Sequence, residues 1–168
     1  MTERFFILGI DPGVEGALAF IDPVACTLRV EDMPTYTLTK QKTKRYVDAV
    51  LLGGFLRHRN IVHAFVEDVH ASPQMGVVSA FSFGEGYGAV KGALAALAVP
   101  LDKVPPAEWK KQMRAPRDKK ESRARALELM PSCAAMLKRP DRAEAAMIAM
   151  FGCFRLGHLI TKPLTPGE

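Results

Sequence analysis

Cysteine is scarce in this sequence. The three present, Cys26, Cys133 and Cys153, are scattered without a CxxC pair, and with four histidines they show no zinc-ligand spacing. A disulfide framework and a cysteine–histidine metal centre are therefore excluded, and reduced thiols in a cytoplasmic-type compartment are expected. Long apolar runs are missing too. The small-residue stretch from Met75 to Pro100 is interrupted by Glu85 and Lys91, which makes it a poor membrane span. No secretory leader is expected, because the apolar run after Arg4 stops at Asp11. The chain has no internal repeat, low-complexity tract or linker. Its one glycine cluster, Gly84-Glu85-Gly86-Tyr87-Gly88, lacks the GxGxxG spacing after a strand and any Gly-Lys-Ser/Thr ending, so no nucleotide cofactor is expected.

What is present reads as one α/β domain over residues 1–160, with 161–168 as a mobile tail rich in proline. Phe5–Ile10 is a continuous apolar run, as in a strand buried on both faces. Asp11-Pro12-Gly13 turns the chain, and strands follow at Ala17–Ile21 and Leu28–Met33. A helix is expected over Thr43–Arg59, with Tyr46, Val47, Val50, Leu51 and Phe55 on its apolar side. Val62–Glu67 and Leu101–Val104 read as further strands. Helices are expected over Val77–Ala98, Pro106–Met113, Lys119–Met130 and Arg142–Leu156. A strand meander followed by alternating strands and helices gives a mixed sheet. Gly84, Gly88 and Gly92 form a bare helix stripe, read first as intrachain packing and second as a dimer contact.

Four carboxylates stand at three separated places. Asp11 ends the first strand, where it fits either an Asx turn or a rigidly projected ligand. Glu67 and Asp68 end another strand, and alternation lets only one of them face a site. Asp141 and Glu144 share a helix face and also fit an N-cap with a capping-box partner. Brought together, four such acids repel unless cations lie between them. Two hard divalent ions roughly 3.5–4 Å apart would suit phosphodiester hydrolysis.

The formal net charge of +5 favours an anionic partner. Eight basic residues crowd the stretch 110–125: Lys110, Lys111, Arg114, Arg117, Lys119, Lys120, Arg123 and Arg125. They read as a solvated helix face or as a phosphate-contacting wall, with Arg117 and Lys119 or Lys120 at a loop-to-helix junction. Arg142 adds charge beside Asp141. Phe81 and Phe83 could stack on bases or enter the core.

Three motifs carry a resemblance. Gly9-Ile10-Asp11-Pro12-Gly13 with Gly16-Ala17-Leu18-Ala19, then Val66-Glu67, then Asp141-Arg142-Ala143-Glu144 resemble the three acidic motifs of RuvC-type Holliday-junction resolvases. Glu144 stands where the usual pattern has Asp. Phe81-Ser82-Phe83-Gly84, Pro106-Ala107-Glu108-Trp109-Lys110 and Lys120-Glu121-Ser122-Arg123 are similar to a phage, bacterial and chloroplast branch. The resemblance implies a ribonuclease H-like mixed five-stranded sheet flanked by helices. It implies a homodimer that nicks four-way junction DNA symmetrically, with two Mg²⁺, or Mn²⁺ as substitute, per active site. Asp11, Glu67, Asp141 and Glu144 would be the ligands, and Lys119 or Lys120 would stabilise phosphate charge. His70 stands where cellular members place a wedging aromatic, and it joins Ser72 and Gln74 as candidate DNA contacts.

Overall fold

The structure is a computed structural model that describes residues 4–39 and 43–167. Its main sheet has six strands, in the spatial order Leu101–Val104 (β7), Ile61–Glu67 (β6), Phe6–Asp11 (β1), Ala17–Asp22 (β2), Thr27–Asp32 (β3) and Thr165–Pro166 (β8). Strands β1 (Phe6–Asp11), β2 (Ala17–Asp22) and β3 (Thr27–Asp32) form the expected antiparallel meander. β6 (Ile61–Glu67) pairs parallel to β1 with Ile10 opposite Val66, and β7 (Leu101–Val104) pairs parallel to β6. Among the described residues no helix is long and apolar enough to cross a membrane.

Strand alternation divides the core in two. Leu8, Ile10, Ala64 and Val66 face α1 (Ala49–Arg57) and α2 (Val77–Ala96). Ile7 and Phe65 face the opposite layer, built from α3 (Pro106–Met113), α4 (Lys119–Leu129) and α5 (Pro140–Arg155). Helix α5 is buried at every position from Ala143 to Cys153, which explains its nearly continuous apolar sequence. It lies against the sheet at two glycines. A Cβ on Gly9 would stand 2.2 Å from the Ala149 amide nitrogen and 2.4 Å from the Ala145 carbonyl. A Cβ on Gly152 would strike the Phe65 ring.

Four expectations are corrected. The helix expected from Thr43 begins only at Ala49, where Asp48 caps it by accepting from the Val50 and Leu51 amides. Thr43–Val47 is instead β5, paired antiparallel with β4 (Thr35–Thr39). Alternating threonine and tyrosine favour that hairpin, and Tyr36 stacks on its cross-strand partner Tyr46 at 5.6 Å. Val50 and Leu51, counted towards the helical period, are exposed, and Leu52 and Leu56 are the buried pair. The C-terminal segment, expected to be mobile, buries Leu164. It pairs Thr165 with Thr27 as β8 (Thr165–Pro166), the sixth strand where five were expected. Finally, the stripe of Gly84, Gly88 and Gly92 does not serve intrachain packing. A Cβ on any of them would meet nothing within 4 Å.

These contacts assign opposite signs to two glycine replacements. Gly9→Ala should cost at least about 2 kcal/mol, because α5 must back away from β1. Gly54→Ala, in open space within α1, should stabilise by up to about 1 kcal/mol. Urea unfolding of both variants measures the two effects.

Candidate active site

The close approach at Gly9 decides where the acids meet. Asp11 lies two residues beyond Gly9, on the same face of β1 and towards α5. The chain then turns through Gly13, at φ 120°, and returns at Gly16, where a Cβ would stand 2.0 Å from the Asp11 carbonyl oxygen. Glu67 lies two residues beyond Phe65 and therefore also faces α5, which resolves the choice between Glu67 and Asp68. Asp68 is held elsewhere, accepting from Lys103 Nζ at 3.0 Å. Asp141 lies in the first turn of α5 and Glu144 falls within its buried stretch, immediately before Ala145, which with Ala149 meets Gly9.

Asp11, Glu67 and Glu144 are buried, and Asp141 is nearly so. Burial, then the charge of Glu67, hold the Asp11 carboxyl well above the usual carboxylate range; Glu144 and Asp141 add to this and Lys119 opposes it. Burial likewise raises Glu67, against the hydrogen bond from Trp109, and Glu144 raises it further. Asp11 thus lies within the fields of the other three acids, and Glu67 within that of Glu144. Burial disfavours the Lys119 ammonium, but the hydrogen bond to Asp141 and the charges of Asp11, Asp141 and Glu144 outweigh it and raise that group.

Three donors answer the acids. Lys119 Nζ donates to Asp141 Oδ1 at 2.7 Å and Lys110 Nζ to Glu144 Oε1 at 2.8 Å. Trp109 Nε1 donates to Glu67 Oε1 at 3.0 Å. The plainer sequence readings do not hold for two of the acids. α5 has no side-chain cap, so Asp141 is not capping, and Asp11 Oδ2 is buried without any hydrogen-bond partner. An all-oxygen set with one orphaned carboxylate oxygen fits hard divalent cations by its chemistry. With Asp141 and Glu144 turned to lysines, no three metal-ligating side chains among the described residues are drawn into one cluster.

The basic residues separate into two groups. Lys111, Arg114, Arg117 and Lys120 are exposed. Three of them, Lys111, Arg114 and Arg117, line a groove of about 680 Å³ together with Lys110 and Pro106. The others expected at the DNA act within the fold. Arg142 Nε donates to Asp32 Oδ1 at 2.6 Å and its guanidinium reaches the Val30 carbonyl, tying α5 to β3. That hydrogen bond, against partial burial and with the charges of Arg142 and Arg139, holds Asp32 below its ordinary range. Arg123 Nε donates to the Leu137 carbonyl. At the loop-to-helix junction Asp118 caps α4, its Oδ1 accepting from the Lys120 and Glu121 amides at 2.9 and 3.0 Å. His70, Ser72, Gln74 and Phe81 are exposed around the β6–α2 loop, and Phe83 is half-buried against Tyr87.

The sequence reading missed Trp109. The signal was there, a lone tryptophan beside a lysine of the basic stretch, but nothing local points it at Glu67.

A mixed sheet with helices on both faces and acids at the ends of β1 and β6 and the start of α5 is a ribonuclease H-like architecture of the RuvC kind. The chain matches the structure of T. thermophilus RuvC in complex with Holliday junction substrate. Identity is 17% and the TM-score 0.60, covering 96% of this chain and 100% of that one. It also matches the Thermus thermophilus RuvC structure at 18% identity and a TM-score of 0.54, covering 91% and 97%. The likeness is one of fold. No family model matches the chain, and no curated protein matches it by sequence.

The raised acids fix the sign of a pH effect. Asp11 and Glu67 bind protons more tightly folded than unfolded. From about pH 4, where ordinary Asp and Glu ionise, stability should therefore fall as pH rises through the shifted range. Asp11→Asn should flatten that fall and be the more stable protein at pH 7 in chelator, each kcal/mol appearing as about 2–4 °C. Parallel melting curves for the two proteins between pH 4 and 7 would contradict this.

Proposed function

We propose that the protein is a divalent-metal-dependent endonuclease that resolves four-way DNA junctions by paired nicks. One observation carries the reading. Asp11, Glu67, Asp141 and Glu144, from three distant parts of the sequence, converge at one end of a RuvC-like sheet, where the charges of the other three bear on Asp11. Of the RuvC chains with this fold, one was solved in complex with Holliday junction substrate. Mg²⁺, or Mn²⁺ in its place, held by these carboxylates would supply an activated water and stabilise the leaving oxygen, with two ions per site.

The chain's own residues have defined tasks in this reading. Asp11 presents a free carboxylate oxygen from a rigid strand end, and Glu67 presents a second from the adjacent parallel strand. Lys119 and Lys110 neutralise Asp141 and Glu144 in the absence of other cations. When a substrate phosphate arrives, either ammonium would take charge on a phosphate oxygen. Lys111, Arg114 and Arg117 give the DNA backbone a basic groove beside the site. His70, Ser72, Gln74 and Phe81 offer exposed contacts in the chain that follows β6.

Paired nicking needs two sites, so the active form is a homodimer. Support comes from α2, whose glycine stripe meets nothing, and from exposed Val77, Val78 and Phe81 at its N-terminal end. A glycine-lined helix face that its own chain leaves bare admits close approach by a second helix.

The two lysine pairs favour a second reading, a junction-binding dimer without turnover in which the ammonium groups hold the acids permanently. A synthetic four-way junction, labelled on each strand in turn with Mg²⁺ or Mn²⁺, separates the two. Wild type should give symmetric, ligatable nicks in opposite strands. Asp141→Asn should lose at least about a hundredfold in rate, roughly 2.7 kcal/mol of transition-state stabilisation, while still binding the junction. Equal cleavage of forks, flaps or RNA–DNA hybrids would mean a less selective nuclease. Binding without cleavage would establish the second reading.

A further inference from the structure

Trp109 is the chain's only tryptophan and has no exposed surface. A buried indole N–H needs an acceptor, because an unmade hydrogen bond there costs about 1–3 kcal/mol. Most such groups find a backbone carbonyl or a neutral side chain. This one reaches across 42 positions of sequence to a carboxylate, Glu67 Oε1, at 3.0 Å.

The indole is held from all sides. α3 starts at Pro106, two residues after Val104, which is the β7 residue in register with Glu67. Two prolines fix the entry of the helix, and Trp109 and Met113 are its buried face. Glu67 is held only at its root, where the backbone is in the sheet. Its side chain has three rotatable bonds, so without a partner the carboxylate would sample several orientations. The hydrogen bond fixes one oxygen and leaves the other as the oxygen that can meet a cation. The next residue of the same helix, Lys110, donates to Glu144 Oε1 at 2.8 Å and lies 5.1 Å from the indole ring. Consecutive residues of α3 therefore hold two of the four acids, one from the sheet and one from α5.

We propose that Trp109 is a positioning residue: it orients Glu67 so that the carboxylate oxygen not bonded to the indole faces the cation site. The assignment rests on the metal-dependent reading above and names a determinant of affinity that lies outside the ligand set. Partners of this kind, behind a ligand, typically change metal affinity by about 10–100-fold.

The single tryptophan makes a one-atom test possible. Replacing it throughout the protein with benzothienylalanine substitutes sulfur for the indole N–H and preserves the shape. Trp109→Phe is the genetically simple counterpart. Mn²⁺ binding is read from the electron paramagnetic resonance of the free ion in wild type, both replacements, Glu67→Gln, and Glu67→Gln carrying the isostere. The isostere should keep the wild-type far-UV circular dichroism and bind Mn²⁺ at least about tenfold more weakly. In Glu67→Gln it should have little further effect, because Trp109 acts through that carboxylate. Wild-type affinity in the isostere overturns the assignment, as do losses that simply add in the combined variant. A wild type that binds no Mn²⁺ overturns the metal reading itself, a failure visible before any variant is compared.

Discussion

Mutual repulsion among buried carboxylates is the constraint on which the rest of this structure depends. Asp11, Glu67 and Glu144 are all but inaccessible to water, and Asp141 is close behind. A fold built for stability alone would replace such acids with neutral groups. Here they are retained and countered locally, by Lys119 on Asp141, Lys110 on Glu144 and an indole N–H on Glu67. Of the four, Asp11 has a fully buried oxygen with no hydrogen-bond partner. The arrangement is incomplete in a specific sense: it holds more negative charge than its own cations satisfy, at the one end of the sheet where a groove of lysines and arginines begins.

The remaining architecture serves to hold that arrangement. Gly9 lets α5 press on β1 closely enough for the first turn of the helix to reach the strand's end. The parallel pairing of β1 with β6 brings Glu67 beside Asp11. Arg142 binds Asp32 and the Val30 carbonyl, so the start of α5 is also fastened to β3, on the far side of the meander. A charge expected to meet DNA is thus spent on rigidity. Exposed charge is left to Lys111, Arg114, Arg117 and Lys120, whose separation from the acids keeps phosphate attraction and carboxylate neutralisation on different residues.

Much of this was legible in the sequence, for reasons that differ by element. β1 could be read because burial on both faces leaves an uninterrupted apolar run, and α5 because Pro140 and small apolar residues mark a buried helix. The β4–β5 hairpin was missed because Tyr46 and Val47 fall in phase with the following helix, and only the pairing of Tyr36 with Tyr46 reveals the strand. The last strand was missed because prolines usually signal a loose end, and the burial of Leu164 is a tertiary fact. At the site, the acids were readable as types at positions, but the choice of Glu67 over Asp68 required knowing which face Phe65 occupies. The lysine partners and the Trp109 contact have no local signature, since each joins residues 22 to 42 positions apart.

The central claim, that the four acids form a cation site which the lysines hold only until a divalent ion arrives, is tested most directly by anomalous scattering from crystals grown with Mn²⁺. The account predicts manganese density bounded by Asp11, Glu67, Asp141 and Glu144, with Lys110 and Lys119 moved off the acids they now bind. Crystals in Mn²⁺ that retain both lysine pairs and show no manganese among these carboxylates would contradict it.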